Sequence, residues 1–369
     1  MSNMIIGIGN CGCQIVRCAT TSPKLSDVKM YAIDSVTSFI NLSTINSVKV
    51  IPIISDDKGG SGRNRERGKA MYKFHEGNGA FEQMYEDAKN SKSPVLVITS
   101  AAGGTGSGAV VPLCEALIKN KIDVIPIIIC PNMEDPMAYH LNTNDLIVEL
   151  GEIGVKKYSI FRNPKDNVNY TPINNEVVEL INIVFGHKYD DTDKDTIDDS
   201  DLDSIFDVSG RFIAISASAN NIDALRLELA RKVFSGFQPA WTTEESEKYT
   251  FVKAFSLKSM FAADSDLSVF DDIRARIPNS YDEYKNIVSD DNNGICEATV
   301  IISGLPMADI KIIDAEFEEV SSLGSGLVKS KRPGFMNKKK ASVTRDTDTV
   351  KNQDGSKGEK SAISKFNWK

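Results

Sequence analysis

Apolar runs and glycine-rich breaks alternate along the first half of the chain. Met4–Ile8 is an apolar run of strand length that ends in glycines, and helical spacing follows over 14–20. Lys29–Asp34 reads as a second strand, with Met30, Ala32 and Ile33 apolar and an acid at its end, and 47–54, rich in Val and Ile, as a third. Residues 56–68 are polar and glycine-rich. A helical pattern spans 69–90, its apolar positions being Ala70, Met71, Phe74, Phe81, Met84 and Tyr85. Residues 94–100 form a fourth, continuously apolar strand, 101–108 another glycine-rich segment and 109–119 a helix. Val124–Cys130 is a fifth strand, 131–136 a loop, then a helix runs to about 150, and 158–161 is a sixth strand.

Strands alternating with helices imply right-handed crossovers and a mostly parallel sheet. Continuously apolar strands such as 95–98 fit a sheet covered on both faces. In such sheets ligands bind beyond the carboxyl ends of the strands. Two glycine-rich segments follow strands directly and a third lies close behind one, so all three converge on the same rim. The second half reads as a smaller α/β domain: helix 174–185, strand 211–216, helix 220–234, strand 249–257, a helical pattern over 266–277, strand 298–303, and a final strand or helix over 309–320. From about Ser325 the chain turns to Gly, Ser, Lys and Asp, the composition of a disordered tail, although Ile363, Phe366 and Trp368 lie near its end.

Composition narrows the class. With 369 residues, 41% apolar and 25% charged, the chain is neither a rod nor wholly disordered. No apolar run reaches the ~18–20 residues of a membrane span, and no secretory signal is visible near Met1. Six scattered cysteines predict a reduced, cytoplasmic protein rather than a disulfide framework. The net charge of −8 is unevenly placed: 328–369 holds twelve Lys/Arg and four Asp/Glu, a tail of +8 on a remainder of −16. Such a body does not coat nucleic acid generally, but the tail can meet an anionic partner.

Gly7-x-Gly9-x-x-Gly12 after a strand matches the dinucleotide fingerprint, and Asp34 sits where a ribose-binding acid would. Read alone, these residues fit an NAD enzyme or a tight strand–helix turn without ligand. Gly103–Gly104–Thr105–Gly106–Ser107–Gly108 changes the balance. Its glycines cost about 0.5–1 kcal/mol each in a regular element, and a dinucleotide domain needs no second phosphate loop on its fourth strand. The Gly-Lys-Ser/Thr ending of a P-loop is absent.

The loop GGTGSG resembles the signature of the tubulin/FtsZ superfamily, where it cradles the phosphates of GTP. The order of other motifs agrees over roughly 4–320. GIGNCGCQ at 7–14 resembles the first nucleotide loop and Ala32–Ile33–Asp34–Ser35 the second. Gly59–Gly60–Ser61–Gly62–Arg63–Asn64 is similar to the third, which senses the γ-phosphate. Pro131–Asn132–Met133–Glu134 resembles the fifth, where an acid meets the ribose; Asn163 matches the guanine-reading Asn; and Ile173–Asn174–Asn175–Glu176 resembles the start of the central helix. The divergent TubZ and PhuZ branches of plasmids and phages look closest.

The resemblance implies a Rossmann-type parallel-sheet GTPase domain over 1–172, a central helix over 173–187, a smaller α/β domain with the catalytic loop over 188–324, and a flexible basic tail over 325–369. It places GTP or GDP against Gly9, Asn10, Cys11, Gln14, Asp34, Gly60, Gly62, Asn64, Ala102, Gly103, Gly104, Thr105, Gly106, Ser107, Gly108, Glu134, Asn163, Tyr170 and Asn174. Mg²⁺ would accompany the phosphates with no dedicated protein site. In this family a loop after the central helix brings acids to the nucleotide of the next subunit, and Asp198 and Asp201 fit that role. Nine Asp in the twenty residues 188–207 also suit a solvated acidic loop that binds cations. His75, His140 and His187 are dispersed and read as surface or core residues.

Three functions follow as expectations: a GTPase assembling head-to-tail into filaments that segregate or position plasmid or phage DNA; an NAD-dependent oxidoreductase using Gly7–Gly12 and Asp34; or a tubulin-like polymer that does not hydrolyse. The partners expected are the protein itself and, through the tail, DNA or a DNA-binding adaptor. The tail also fits a solvated end that aids solubility.

Overall fold

Met4–Ile8 forms β1 with every residue buried. Its side chains alternate between two cores: Met4, Ile6 and Ile8 face one, Ile5 the other. This is the signature of a strand covered on both sides. The computed structural model describes residues 2–35, 45–54, 60–92, 94–165, 169–186, 205–238, 252–260, 267–275, 280–288 and 296–305. All of them belong to one unit, Met1–Ser321.

The elements run β1, α1 (Gly9–Ala19), β2 (Lys29–Asp34), β3 (Val48–Pro52), α2 (Arg65–Gly77), α3 (Glu82–Lys89), β4 (Val95–Ser100), α4 (Thr105–Lys119), β5 (Val124–Cys130), α5 (Met137–Glu152), β6 (Lys157–Arg162), α6 (Thr171–Gly186), β7 (Gly210–Ala219), α7 (Ile222–Ser235), β8 (Val252–Met260), a 3₁₀ turn Leu267–Phe270, the single turn α8 (Asp271–Arg274), β9 (Ser280–Val288) and β10 (Cys296–Leu305). The strands follow the order β3-β2-β1-β4-β5-β6-β7-β10-β8-β9. From β3 to β7 every neighbour is parallel. Beyond β7, β10 runs antiparallel to both β7 and β8, and β8 is parallel to β9.

One core joins α2–α5 to the sheet; the other joins α1 and α6 to its opposite face. A third lies between α7, Val269, Phe270 and Ile273 on one side and β7 and β10 on the other. The sheet narrows at one place. β6 and β7 pair over two residues, Lys157 with Gly210 and Tyr158 with Arg211. Ile173, Val177, Leu180 and Ile181 of α6 belong to the same core as Phe161 of β6 and Phe212 and Ala214 of β7.

Several boundaries differ from the sequence reading. The single helix expected over 69–90 is two, because a turn at 78–81, with Gly79 at φ +78°, separates α2 from α3. α2 also begins earlier, inside the expected loop 56–68: the Asn64 side chain accepts from the Arg67 N–H at 3.0 Å and caps it. α4 starts within the glycine loop at Thr105 rather than at 109. The helix expected over 266–277 shrinks to the 3₁₀ turn and α8. Strand β9 was not expected: SYDEYKNIV lacks an apolar run, and it is an edge strand paired with β8. The element expected over 309–320 lies outside the described residues.

Candidate functional site

A cleft of about 310 Å³ opens beyond the carboxyl ends of the parallel strands. Asn10, Cys11 and Gln14 reach it from α1, Ser100 from β4, Ala102 and Gly103 from the loop after β4, and Ile129 from β5. Asp135 and Tyr139 follow β5, Asn163 follows β6, Tyr170 and Asn174 flank the start of α6, and Arg63 precedes α2.

The glycines explain how the loops come this close. Gly9 sits at φ +71°, where a side chain is strained, and a Cβ there would lie 2.9 Å from the Gly106 amide nitrogen. The first and second glycine loops therefore touch backbone to backbone. A Cβ on Gly106 would meet Thr99 Oγ1 at 2.6 Å and Ile8 O at 2.9 Å. One on Gly104 would collide with Ser61 Oγ and lie 2.5 Å from the Asn64 nitrogen. Gly108 abuts Arg65 O and the Lys69 nitrogen. Gly103 differs: a Cβ there meets nothing within 4 Å, so its bare backbone edge borders the open cleft.

Side chains brace this arrangement. Ser107 Oγ donates to Gly103 O. Asn142, 8% exposed on α5, points Nδ2 at Ala102 O (3.1 Å), Arg63 O (3.2 Å) and Gly103 O (3.4 Å), tying two loops together. Arg65 donates to Ser107 O at 3.3 Å and to Glu149 at 2.9 Å. The Asp34 Oδ1 accepts from the Ser35 N–H at 2.7 Å. A hydroxyl chain runs from Ser35 Oγ to Thr105 Oγ1 (2.8 Å) and on to Ser61 Oγ (3.0 Å).

The electrostatics favour an anion. Neither α1 nor α4 has a side-chain cap, so the N–H groups of both first turns are presented where the loops meet. The Arg63 guanidinium lies 4.6 Å from the Tyr139 ring centroid, a cation–π contact at the wall of the cleft. Asp135 Oδ2 accepts from the Asn132 N–H at 2.9 Å. Burial pushes the Cys11 thiol up to about 12, which keeps it neutral at pH 7. Burial also raises the Asp34 carboxyl, against the lowering effect of its Ser35 hydrogen bonds.

Of the residues expected to contact nucleotide, Asn10, Cys11, Gln14, Ala102, Gly103, Asn163, Tyr170 and Asn174 line the cleft together. Gly9, Gly104, Thr105, Gly106, Ser107 and Gly108 form the loops beneath, and Gly60, Gly62 and Asn64 flank Arg63. Glu134 points elsewhere, pairing with Lys165 at 2.7 Å, and the carboxylate lining the cleft belongs to the next residue, Asp135. Asp34, where a ribose-binding acid was expected, is 2% exposed and is not among the residues that line the cleft. Asp198 and Asp201 lie outside the described residues. Sequence reading missed Arg63, Ser100, Ile129, Asp135 and Tyr139 in the lining, and Asn142 behind it. Asn142 carried a signal: it lies one helical turn before buried Leu146, on a face where apolar residues are expected. Among the described residues no cluster of three or more His, Cys, Asp or Glu is placed to hold a metal, and no helix is long and apolar enough to cross a membrane.

The donor set can take a nucleotide. Uncapped helix ends and the open edge at Gly103 suit phosphates, while Asn163, Asn174 and Tyr170 offer amides and a ring further along.

No protein-family model and no curated protein sequence matches the chain. Solved structures do. The GTPγS-bound protofilament of CetZ2 from Haloferax volcanii aligns at a TM-score of 0.65 and 15% identity, over 88% of this chain and all of that one. Tail-truncated TubZ of Clostridium botulinum phage c-st aligns at 0.67 and 14%, over 87% of this chain and 98% of that one. FtsZ from M. jannaschii aligns at 0.61 and 15%, over 82% and 88%. The chain shares its α/β fold with these CetZ, TubZ and FtsZ structures.

Proposed function

We propose that this chain is a GTPase that assembles head-to-tail into filaments. The observation that carries the reading is the meeting of two uncapped helix N-termini, α1 and α4, backbone to backbone at Gly9 and Gly106 beside an open cleft. That arrangement gives concentrated anion-binding capacity at the strand ends. CetZ2 and Bacillus thuringiensis TubZ, which share the fold, are GTPγS-form protofilaments.

In this reading the first-turn N–H groups of α1 and α4 hold the phosphate oxygens, with the backbone of Gly103 approaching closely. Arg63 balances phosphate charge. Asn163 and Asn174 bond the base edge and Tyr170 lies against its face. When bound, GTP supplies the anhydride bond that water cleaves. Asp198 and Asp201 of one subunit accept hydrogen bonds from the attacking water at the next subunit's cleft and orient it. A nucleotide face and an acid-bearing face on one subunit make a heterologous contact, which propagates as an open filament when it does not close. The basic tail, 325–369, engages DNA or a DNA-binding adaptor, and the filament segregates or positions plasmid or phage DNA in the cytoplasm.

Retention of labelled GTP and NAD by the full-length chain tests the binding step. GTP should bind and NAD should not; the reverse would overturn the reading. Phosphate release should rise steeply above a critical protein concentration. Asp201→Ala should leave binding and assembly intact and slow hydrolysis by ~10²–10⁴-fold, the usual contribution of a proton-accepting group. Normal turnover in both Asp201→Ala and Asp198→Ala would place the catalytic acids elsewhere.

A further inference from the structure

One side-chain amide on α5 gathers carbonyls from two loops. Asn142 is buried and stands behind the residues that line the cleft. Its Nδ2 lies 3.1 Å from Ala102 O, 3.2 Å from Arg63 O and 3.4 Å from Gly103 O. Three acceptors around one atom leave a single assignment for the side chain: the NH₂ group faces them, because a carbonyl there would meet only other carbonyls. Two hydrogens serve three oxygens, and the farthest, Gly103 O, has a second donor in the Ser107 hydroxyl.

A carbonyl held in place fixes the amide that follows it. The trans peptide is planar, so the C=O of one residue and the N–H of the next point in opposite directions. With Ala102 O and Gly103 O turned toward Asn142, the N–H groups of Gly103 and Gly104 turn away from it, to the side on which Ala102 and Gly103 border the cleft. Among the described residues neither of these amides has a backbone acceptor. Arg63 O has another consequence. The next amide, that of Asn64, returns to Ser61 O at 3.1 Å and closes the turn before α2. Arg63 itself sits at φ +64°, a left-handed conformation that arginine rarely adopts. α5 grips it at both ends. Asn142 bonds its carbonyl, and Tyr139, one turn earlier on the same face, carries its guanidinium.

We propose that Asn142 is a positioning residue for phosphate binding. It draws the carbonyls of Ala102 and Gly103 inward, aims the amides of Gly103 and Gly104 at the cleft, and holds Arg63 in its left-handed turn beside them. This rests on the proposed phosphate site for the identity of the anion, not for the orientation of the amides. Glycine on both sides of the 103–104 peptide leaves that unit free to turn over. Turned over, it presents an oxygen to the anion in place of an N–H, and attraction becomes repulsion. Without Asn142, Ala102 O and Arg63 O lose a donor in buried space, which favours such a turn.

Calorimetric titration of the full-length chain with GTP, and separately with pyrophosphate, tests this, each variant being held below its own unfolding midpoint. Asn142→Ala should weaken both ligands at least tenfold and by similar factors, since the amides meet phosphate alone. Asn142→Asp supplies the rescue. Ionised, its carboxylate repels the three carbonyls; protonated, it donates one hydrogen bond. Burial among carbonyls favours the protonated form, so its GTP affinity, relative to the wild type at the same pH, should rise several-fold from about pH 8 to about pH 5.5. Should Asn142→Ala fail to fold, this ratio carries the comparison by itself. Unchanged affinities in Asn142→Ala, or a ratio flat with pH, would overturn the positioning role. Loss of GTP without loss of pyrophosphate would move the influence of Asn142 to the base and overturn it as well. Pyrophosphate bound through Asn142 by a chain that takes no GTP would instead overturn the GTP reading and keep the positioning role; a wild type that binds neither would overturn both.

Discussion

The glycines of GGTGSG are equivalent letters in the sequence but have different tasks in space. A side chain on Gly104 runs into Ser61 and Asn64, whereas one on Gly103 points into open space. Gly104→Val should therefore destabilise the fold by about 1–3 kcal/mol, the usual cost of overpacking, and report little about the ligand. Gly103→Val should unfold at the wild-type temperature and weaken GTP at least tenfold. Thermal unfolding beside equilibrium GTP binding checks both, and undiminished affinity in Gly103→Val would remove the loop from the phosphate site. The motif pointed to the loop, but not to the glycine that borders the cleft, because neighbours such as Ser61 come from distant sequence. Asp34 and Glu134 make the same point. Each is an acid at a suggestive position, yet one is buried under the loops and the other bonds Lys165 at the outside.

At the scale of elements, the parallel strands were legible because burial on both faces leaves continuous apolar runs. Lys29–Asp34 and Val124–Cys130 have the expected bounds. Edge strand β9 was not legible, since pairing on one side relaxes the demand for apolar residues. Helix starts were also misjudged, because caps such as Asn64 act before the apolar pattern begins. α3 gives an element-level prediction. Asp87 fastens it to β2 and β3 through Lys29, Tyr31 and Lys49. Burial alone would raise the Asp87 carboxyl, but the hydrogen bonds from these three outweigh it and hold the group below the usual carboxylate range. A depressed folded-state pKa stabilises above the unfolded value of ~3.9, and that stability is lost as pH falls. Asp87→Asn should cost about 1–3 kcal/mol at pH 7, and the deficit should shrink as pH drops below about 4. Denaturant unfolding at several pH values checks this; a deficit that stays constant to pH 2 would deny the ion pairs their role.

At the scale of the whole molecule, the order of loops along the sequence foretold their convergence on one rim, as alternating strands and helices require. The tail lies outside that logic and outside the described residues, and its charge carries its reading. Truncation after Gly326 should preserve GTP binding and hydrolysis while abolishing recovery of DNA, with or without an adaptor, in sedimented filaments. The recovery lost should be salt-sensitive in the intact chain, because screening shortens from ~10 Å at 0.1 M to ~3 Å at 1 M. Equal DNA recovery from both chains would dismiss a docking role, and lost hydrolysis would make the tail part of the folded machine.

In the proposed filament each subunit would carry load, and the sheet is not uniform along that path. β5 and β6 pair over four residues, β6 and β7 over two. The β6–β7 junction is the narrowest rung in the ladder, and α6 packs against β7 beside it, its apolar side in the core that also holds Phe161 of β6. With so short a ladder, the seam leans on that core as well. Thinning it at Ile181 would make the subunit part at this seam under tension while its nucleotide cleft, built on the other strands, stayed whole.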